Sequence, residues 1–162
     1  MSMIRSVKLE DAQNILNIYN YYVTNTVVTF DLEPLSLEVF KEKINTISQE
    51  YPFIVFEEEN EILGYAYGSR FRPKPAYNNT VESTVYVKNG EHDKKIGTKL
   101  YRELLKRLKE KKYHVVLGVL TLPNEASVRL HENFGFNKVA HLKETGLKFD
   151  TWHDVGFWQL TF

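Results

Sequence analysis

The chain has 162 residues, no cysteine, two methionines and five prolines, and its formal charges cancel. Without cysteine there can be no disulfide, no thiolate metal site and no cysteine nucleophile, so a covalent thioester on the protein is excluded. Such a composition suits a reducing compartment. Lys plus Arg and Asp plus Glu each number 21, so no overall field draws the chain to nucleic acid or an acidic membrane surface. Any anion must be held locally, and neither nucleic acid nor membrane is expected as a partner. No apolar run reaches the length of a membrane span, and Met1 to Lys8 lacks the apolar run of a signal peptide, which makes the cytoplasm the expected location. The histidines at 92, 114, 131, 141 and 153 show none of the spacings of a zinc site, so no metal is expected.

What is present suits a globular chain with a real core, since 43% of residues are hydrophobic and 26% charged. No repeat, linker or shift of composition divides it, and one domain over residues 1–162 is expected. Ile4 to Val7 predicts a short strand, and Ala12, Ile15, Leu16, Tyr19, Tyr22 and Val23 share one face of a helix. Thr26 to Phe30 reads as β-rich. Ser36 is a good N-cap for a second helix that buries Leu37, Phe40, Ile44 and Ile47. Phe53 to Glu57 and Ile62 to Phe71 resemble a hairpin, and Thr80 to Val87 alternates as a third strand. A helix carrying Ile96, Leu100, Leu104 and Leu108 follows, then a buried strand His114 to Val119, a short helix Ala126 to Asn133 closed by Gly135, and strands Phe136 to His141 and Val155 to Leu160. This order predicts an α/β fold, a mixed sheet with helices on its faces.

The segment Thr80 to Val87 runs directly into a basic loop and a helix. That arrangement sets unpaired backbone N–H groups and a positive helix end before an anionic ligand such as a pyrophosphate. Lys94, Lys95 and Lys99 either add charge there or form a solvated surface.

The loop and helix from His92 to Leu100 resemble the acyl-CoA pyrophosphate loop of the GNAT superfamily of N-acetyltransferases. His92 stands at the usual Gln/Arg place and Lys95 at the first Gly place, with Gly97 agreeing. The segment Asn124 to Phe136 is similar to the superfamily's Asn-x-x-A/S-x-x-Leu-Tyr-x-x-x-Gly-Phe, with His131 at the tyrosine position. Most of the chain resembles the phosphinothricin and methionine sulfone or sulfoximine acetyltransferases. The shared words include Thr29-Phe30-Asp31, Ala76-Tyr77, Thr80 to Val87, Leu122-Pro123-Asn124 and Trp152 to Gln159.

The resemblance implies a GNAT-like domain with a mostly antiparallel, twisted sheet and splayed central strands, with acetyl-CoA as co-substrate. It implies that Val85, Tyr86 and Val87 pair with the acetyl and pantetheine groups, and that Asp93, Lys94, Lys95, Ile96, Gly97, Thr98 and Asn124 complete cofactor binding. A homodimer is implied as well. The acceptor would be the primary amine of a small amino-acid-like molecule. Its recognition would use Phe30 and the loop from Arg72 through Pro75, Ala76 and Tyr77, with Arg72 or Lys148 for a carboxylate.

Amide formation from a thioester needs a neutral amine, a stabilised oxyanion and a protonated thiolate. An aliphatic ammonium must lose its proton near neutral pH, and Glu82, in an otherwise apolar or hydroxylated strand, is the expected base. The competing reading is a carboxylate that faces solvent or makes a structural hydrogen bond. His131 could protonate the thiolate, or be a packed or capping residue. A peptide or lysine acceptor, and an acyl-CoA-binding regulatory domain without catalysis, are the rival functions.

Overall fold

The computed structural model describes all 162 residues. In chain order the elements are β1 (Ser2–Ser6), α1 (Ala12–Asn25), α2 (Leu37–Glu50), β2 (Phe53–Glu58), β3 (Glu61–Arg70), β4 (Thr80–Val87), α3 (Ile96–Glu110), β5 (Val115–Leu122), α4 (Glu125–Asn133), β6 (Asn137–Lys148) and β7 (Thr151–Thr161). The strands form one seven-stranded sheet in the order β1-β2-β3-β4-β5-β7-β6. Every neighbouring pair is antiparallel except β4 and β5, which run parallel.

Helical periodicity sets which face each helix covers. Helix α1 buries Ala12, Ile15, Leu16, Tyr19, Tyr22 and Val23, and its tyrosines meet Tyr86 of β4, with ring centroids 5.4 Å from Tyr19 and 5.2 Å from Tyr22. Helix α2 starts where Ser36 Oγ accepts a hydrogen bond from Val39 N at 3.3 Å, and buries Phe40, Ile44 and Ile47 beside it. Residues of β3 alternate between the two faces of the sheet, so Tyr65 and Tyr67 face α1 and α2 while Gly64 and Gly68 lie under Ile96, Leu100 and Leu108 of α3. Helix α4 shares the α3 side, where His131 stacks edge-on against Tyr101 at 4.9 Å.

The feature that positions the site is a divergence in the middle of the sheet. Strands β4 and β5 pair only from Thr80–Val115 to Ser83–Gly118. Beyond that, β4 stays with β3 as far as Gly64–Val87 and β5 stays with β7 as far as Leu122–Asp154. Each strand keeps its outer partner, so the gap between Thr84–Val87 and Val119–Leu122 opens into a wedge.

Three sequence expectations change. Thr26 to Phe30 forms no strand: Thr26 Oγ1 donates to Tyr22 O at 2.8 Å and accepts from Val28 N at 3.2 Å, turning the chain out of α1 into a loop. The strand expected over His114 to Val119 extends to Leu122. The last two strands are far longer than Phe136 to His141 and Val155 to Leu160. They form a hairpin arm that runs past β5 and turns at Phe149 and Asp150, both at positive φ (53° and 56°), as a tight two-residue hairpin turn requires.

Candidate active site

The wedge holds two adjoining hollows that share Val28, Val85, Tyr86, Asn124 and Ser127 along their walls. The larger, about 600 Å³, lies between the end of β4, the start of α3 and α4. The smaller, about 250 Å³, reaches inward between Glu82 to Tyr86 of β4 and Val119 to Thr121 of β5.

Strand geometry supplies the donors of the wedge. Lys88 N donates to Leu63 O of β3 at 2.8 Å, so the two-residue alternation turns the N–H and C=O groups of Val87 and Val85 away from β3, toward the opening. The Val87 carbonyl is already taken by the Tyr22 hydroxyl, which also lies 3.2 Å from His92 Nε2. Burial pushes the Tyr22 phenol up to about 12, so it stays protonated as the donor.

The larger hollow is cationic. His92, Lys95, Arg102 and Arg129 line it together with Gly97 and Thr98. Lys95 takes the left-handed conformation (φ 56°, ψ 29°), the backbone shape that a glycine there would adopt with less strain. The loop therefore keeps its turn without the glycine. No side chain caps α3, which leaves the N–H groups of its first turn, Ile96, Gly97 and Thr98, free for an anion. Asn124 accepts from Ser127 N at 3.1 Å, capping α4, while its amide lies at the junction of the hollows.

The smaller hollow has a different character. Glu82 shares its strand face with Thr84 and Tyr86 and is half-buried there, and burial raises its carboxyl above the usual range. His131 is buried, and burial lowers its imidazole below the usual range while a bond to Ser127 acts the other way. Nδ1 lies 2.7 Å from Ser127 O, and because a carbonyl only accepts, the proton of the neutral ring sits on Nδ1. Nε2 is then bare. The ring stands over Gly118, where a Cβ would come within 2.5 Å of Nε2. Ser83 Oγ donates to Leu117 O at 3.1 Å and so accepts from the Tyr101 hydroxyl, which closes the floor with satisfied groups.

Several expected residues lie elsewhere. Lys94 is held by Glu91 at 2.9 Å and Glu58 at 3.1 Å, outside the hollows, and Lys99 reaches over the Phe56 ring at 5.5 Å. Ile96 is fully buried against Gly64, so only its backbone could meet a ligand, and Asp93 lines neither hollow. Phe30 walls the smaller hollow, but Arg72, Pro75, Ala76 and Tyr77 form an exposed loop outside it. The Arg72 guanidinium lies over Phe71, 5.2 Å from the ring centre. Lys148 is 2% exposed and donates to Thr29 O at 2.9 Å, behind the wall rather than in the hollow. The sequence reading missed Tyr22, Val28, Arg102 and Arg129. Arg102 follows Lys95 and Thr98 by seven and four residues, a helical spacing that would have put it on their face.

A wedge with uncapped helix N–H groups, four basic side chains at one end and a half-buried carboxylate at the other offers an anion site beside a proton acceptor. Residues 4–156 match the acetyltransferase (GNAT) domain, and the chain belongs to that family. It is 36% identical over 159 residues to the phosphinothricin N-acetyltransferase of Streptomyces viridochromogenes, spanning 98% of this chain and 87% of that protein. It is 33% identical to the L-methionine sulfoximine/L-methionine sulfone acetyltransferase of Pseudomonas aeruginosa, spanning 97% of this chain and 92% of that one. Among solved structures, the phosphinothricin acetyltransferase of Sinorhizobium meliloti in complex with acetyl-CoA superposes with a TM-score of 0.96 at 31% identity, covering 99% of this chain and 88% of that one. An N-acetyltransferase from Staphylococcus aureus Mu50 superposes with a TM-score of 0.97 at 35% identity, covering 99% and 98%.

Proposed function

We propose that residues 1–162 act as one N-acetyltransferase domain that moves the acetyl group of acetyl-CoA directly to the primary amine of a small amino-acid-like molecule. Phosphinothricin, methionine sulfone and methionine sulfoximine are the first acceptors to test, since relatives carry those names. The observation that carries this reading is the wedge, with the N–H groups of Val85 and Val87 and the Glu82 carboxyl opening into connected hollows.

In this reading acetyl-CoA supplies an activated acyl group as a thioester. The first-turn N–H groups of α3, with Lys95, Arg102 and Arg129, hold its phosphates. Val85 to Val87 pair with the pantetheine as a strand would, and an outward N–H of this edge stabilises the oxyanion as the C–N bond forms. Glu82 takes the proton of the incoming ammonium, directly or through a water, and burial, which raises its pKa, makes it a stronger base than an exposed carboxylate. The C–S bond then breaks, and the thiolate takes the second amine proton. His131 does not supply that proton here, because its only ring proton is engaged by Ser127 O. We assign it to packing between α4 and β5.

The narrowness of the inner hollow favours a small acceptor over a peptide or a protein lysine. We also propose a homodimer, which the exposed Leu142, Leu147, Phe149 and Trp152 on the hairpin arm support, and sedimentation of the purified chain reads that state. No helix is long and apolar enough to cross a membrane. The cytoplasm is the compartment we propose, on the cysteine-free composition, with no role for nucleic acid, membrane or metal. The deciding experiment is thiol release from acetyl-CoA with a panel of amino acids, the three named acceptors and short peptides. Turnover of small amines is expected. Binding of acetyl-CoA without turnover of any acceptor would instead support a regulatory domain.

A further inference from the structure

The outer wall of the inner hollow is the loop after α1, whose Val28, Thr29 and Phe30 face the cavity. This loop has no strand partner, yet it is fastened from both sides. From α1, the Tyr19 hydroxyl bonds Thr29 Oγ1 at 2.8 Å and also Asp31. From the hairpin arm, Lys148 Nζ donates to Thr29 O at 2.9 Å, a contact across 119 residues of sequence. The Lys148 side chain is 2% exposed, and burial holds its ammonium below the usual lysine range while the Asp31 charge acts the other way. Keeping a desolvated ammonium on a neutral carbonyl is costly in itself. The arm also makes room for the loop: a Cβ on Gly146 would lie 2.2 Å from the Phe30 ring. His153, the cross-strand partner of Gly146, also meets the loop, with its ring 6.2 Å from Phe30 and its Nε2–H bonded to Lys148 O at 3.1 Å.

We infer that Lys148 and Gly146 are positioning residues of the acceptor site: the hairpin arm latches Thr29 and seats Phe30, and so determines which amines fit beside Glu82. This rests on the acetyltransfer reading above. Lys148 then acts through the loop rather than as the counter-ion of a substrate carboxylate, and Phe30 is the surface that meets the acceptor. Modest displacements of groups that position a substrate cost large factors in rate or affinity.

Two variants and two readouts test the latch. Lys148→Met removes the bond to Thr29 while keeping an unbranched chain, and Gly146→Ala displaces Phe30 without touching a charge. Each is expected to raise the KM for the acceptor about ten-fold while leaving that for acetyl-CoA within about two-fold. The double variant should be no worse than the poorer single one, because both changes release one loop. Val139→Ala, on the exposed part of the same strand, should alter neither constant. Separately, hydrogen exchange at residues 28–31 should quicken in Lys148→Met with other amides unchanged. The latch is overturned by unchanged exchange together with an unchanged acceptor KM, by additive losses, or by a loss confined to acceptors that carry a carboxylate. Exchange needs no acceptor, so failure of the unaltered protein to turn over any small amine would count against the catalytic reading and leave the latch to be judged by exchange.

Discussion

The two hollows of the wedge share a wall and differ in nearly everything else. The outer one gathers His92, Lys95, Arg102 and Arg129 around the free N–H groups of a helix. The inner one is lined by the half-buried Glu82 carboxyl, raised by burial, and by His131, lowered by burial, and no lysine or arginine lines it. One divergence of two strands thus separates a hollow lined by basic side chains from one lined by a half-buried carboxyl. Charge that holds phosphates would depress the pKa of a nearby carboxylate and spoil it as a base. Burial alone raises the Glu82 carboxyl, and the basic residues of the outer hollow do not line the inner one.

The largest expected effect isolates the inner hollow. Glu82→Gln should lower kcat by roughly two to four orders of magnitude, with acetyl-CoA affinity little changed. The pH profile carries the sign. Burial raises the Glu82 pKa, so the active, ionised form is lost as pH falls through that raised value, and the acid limb should lie above the ordinary carboxylate range of about 4.3. In Glu82→Gln this limb should vanish, and a profile that keeps it would remove Glu82 from the role.

Gly118→Ala comes next. A methyl group there would meet the His131 ring at 2.4 Å, so α4 or the ring must shift, at a cost of about 1–3 kcal/mol in stability. Thermal unfolding should show a Tm lower by several degrees, while the basic end of the wedge still binds acetyl-CoA. The smallest effect belongs to the outer hollow. Arg102→Ala and Arg129→Ala should each raise the KM for acetyl-CoA about three- to ten-fold with kcat retained, because partly exposed ion contacts are individually modest. Raising the salt concentration should shrink the difference between these variants and the parent chain.

Legibility from sequence followed burial. Strand β4 was read to the residue because alternation is strong where one face packs on Tyr19 and Tyr22 and the other on α3. Helices α1, α2 and α3 were legible from their apolar stripes. The hairpin arm was not, since beyond His141 much of β6 is polar and exposed, and its turn uses Phe149-Asp150 where a glycine would have announced it. In the site, Glu82 stood out in sequence as the lone carboxylate of an otherwise apolar or hydroxylated strand. Lys148 was read as a binder of the acceptor's carboxylate, because sequence does not show the long-range contact with Thr29 that its ammonium makes. The lysines around the loop divided for the same reason: Lys95 faces the cleft, whereas Lys94 is neutralised by Glu58 and Glu91.

The single parallel pairing has a mechanical consequence. Four register pairs, Thr80 to Ser83 against Val115 to Gly118, are the whole of the strand pairing that joins β1 to β4 with β5 to β7. A seam that short is where the sheet yields most cheaply, so a molecule lying across both edges works as a rivet as well as a reactant. Occupancy of the wedge should stiffen the two blocks against each other, tying the shape of the acceptor pocket to whether an acyl donor is already in place.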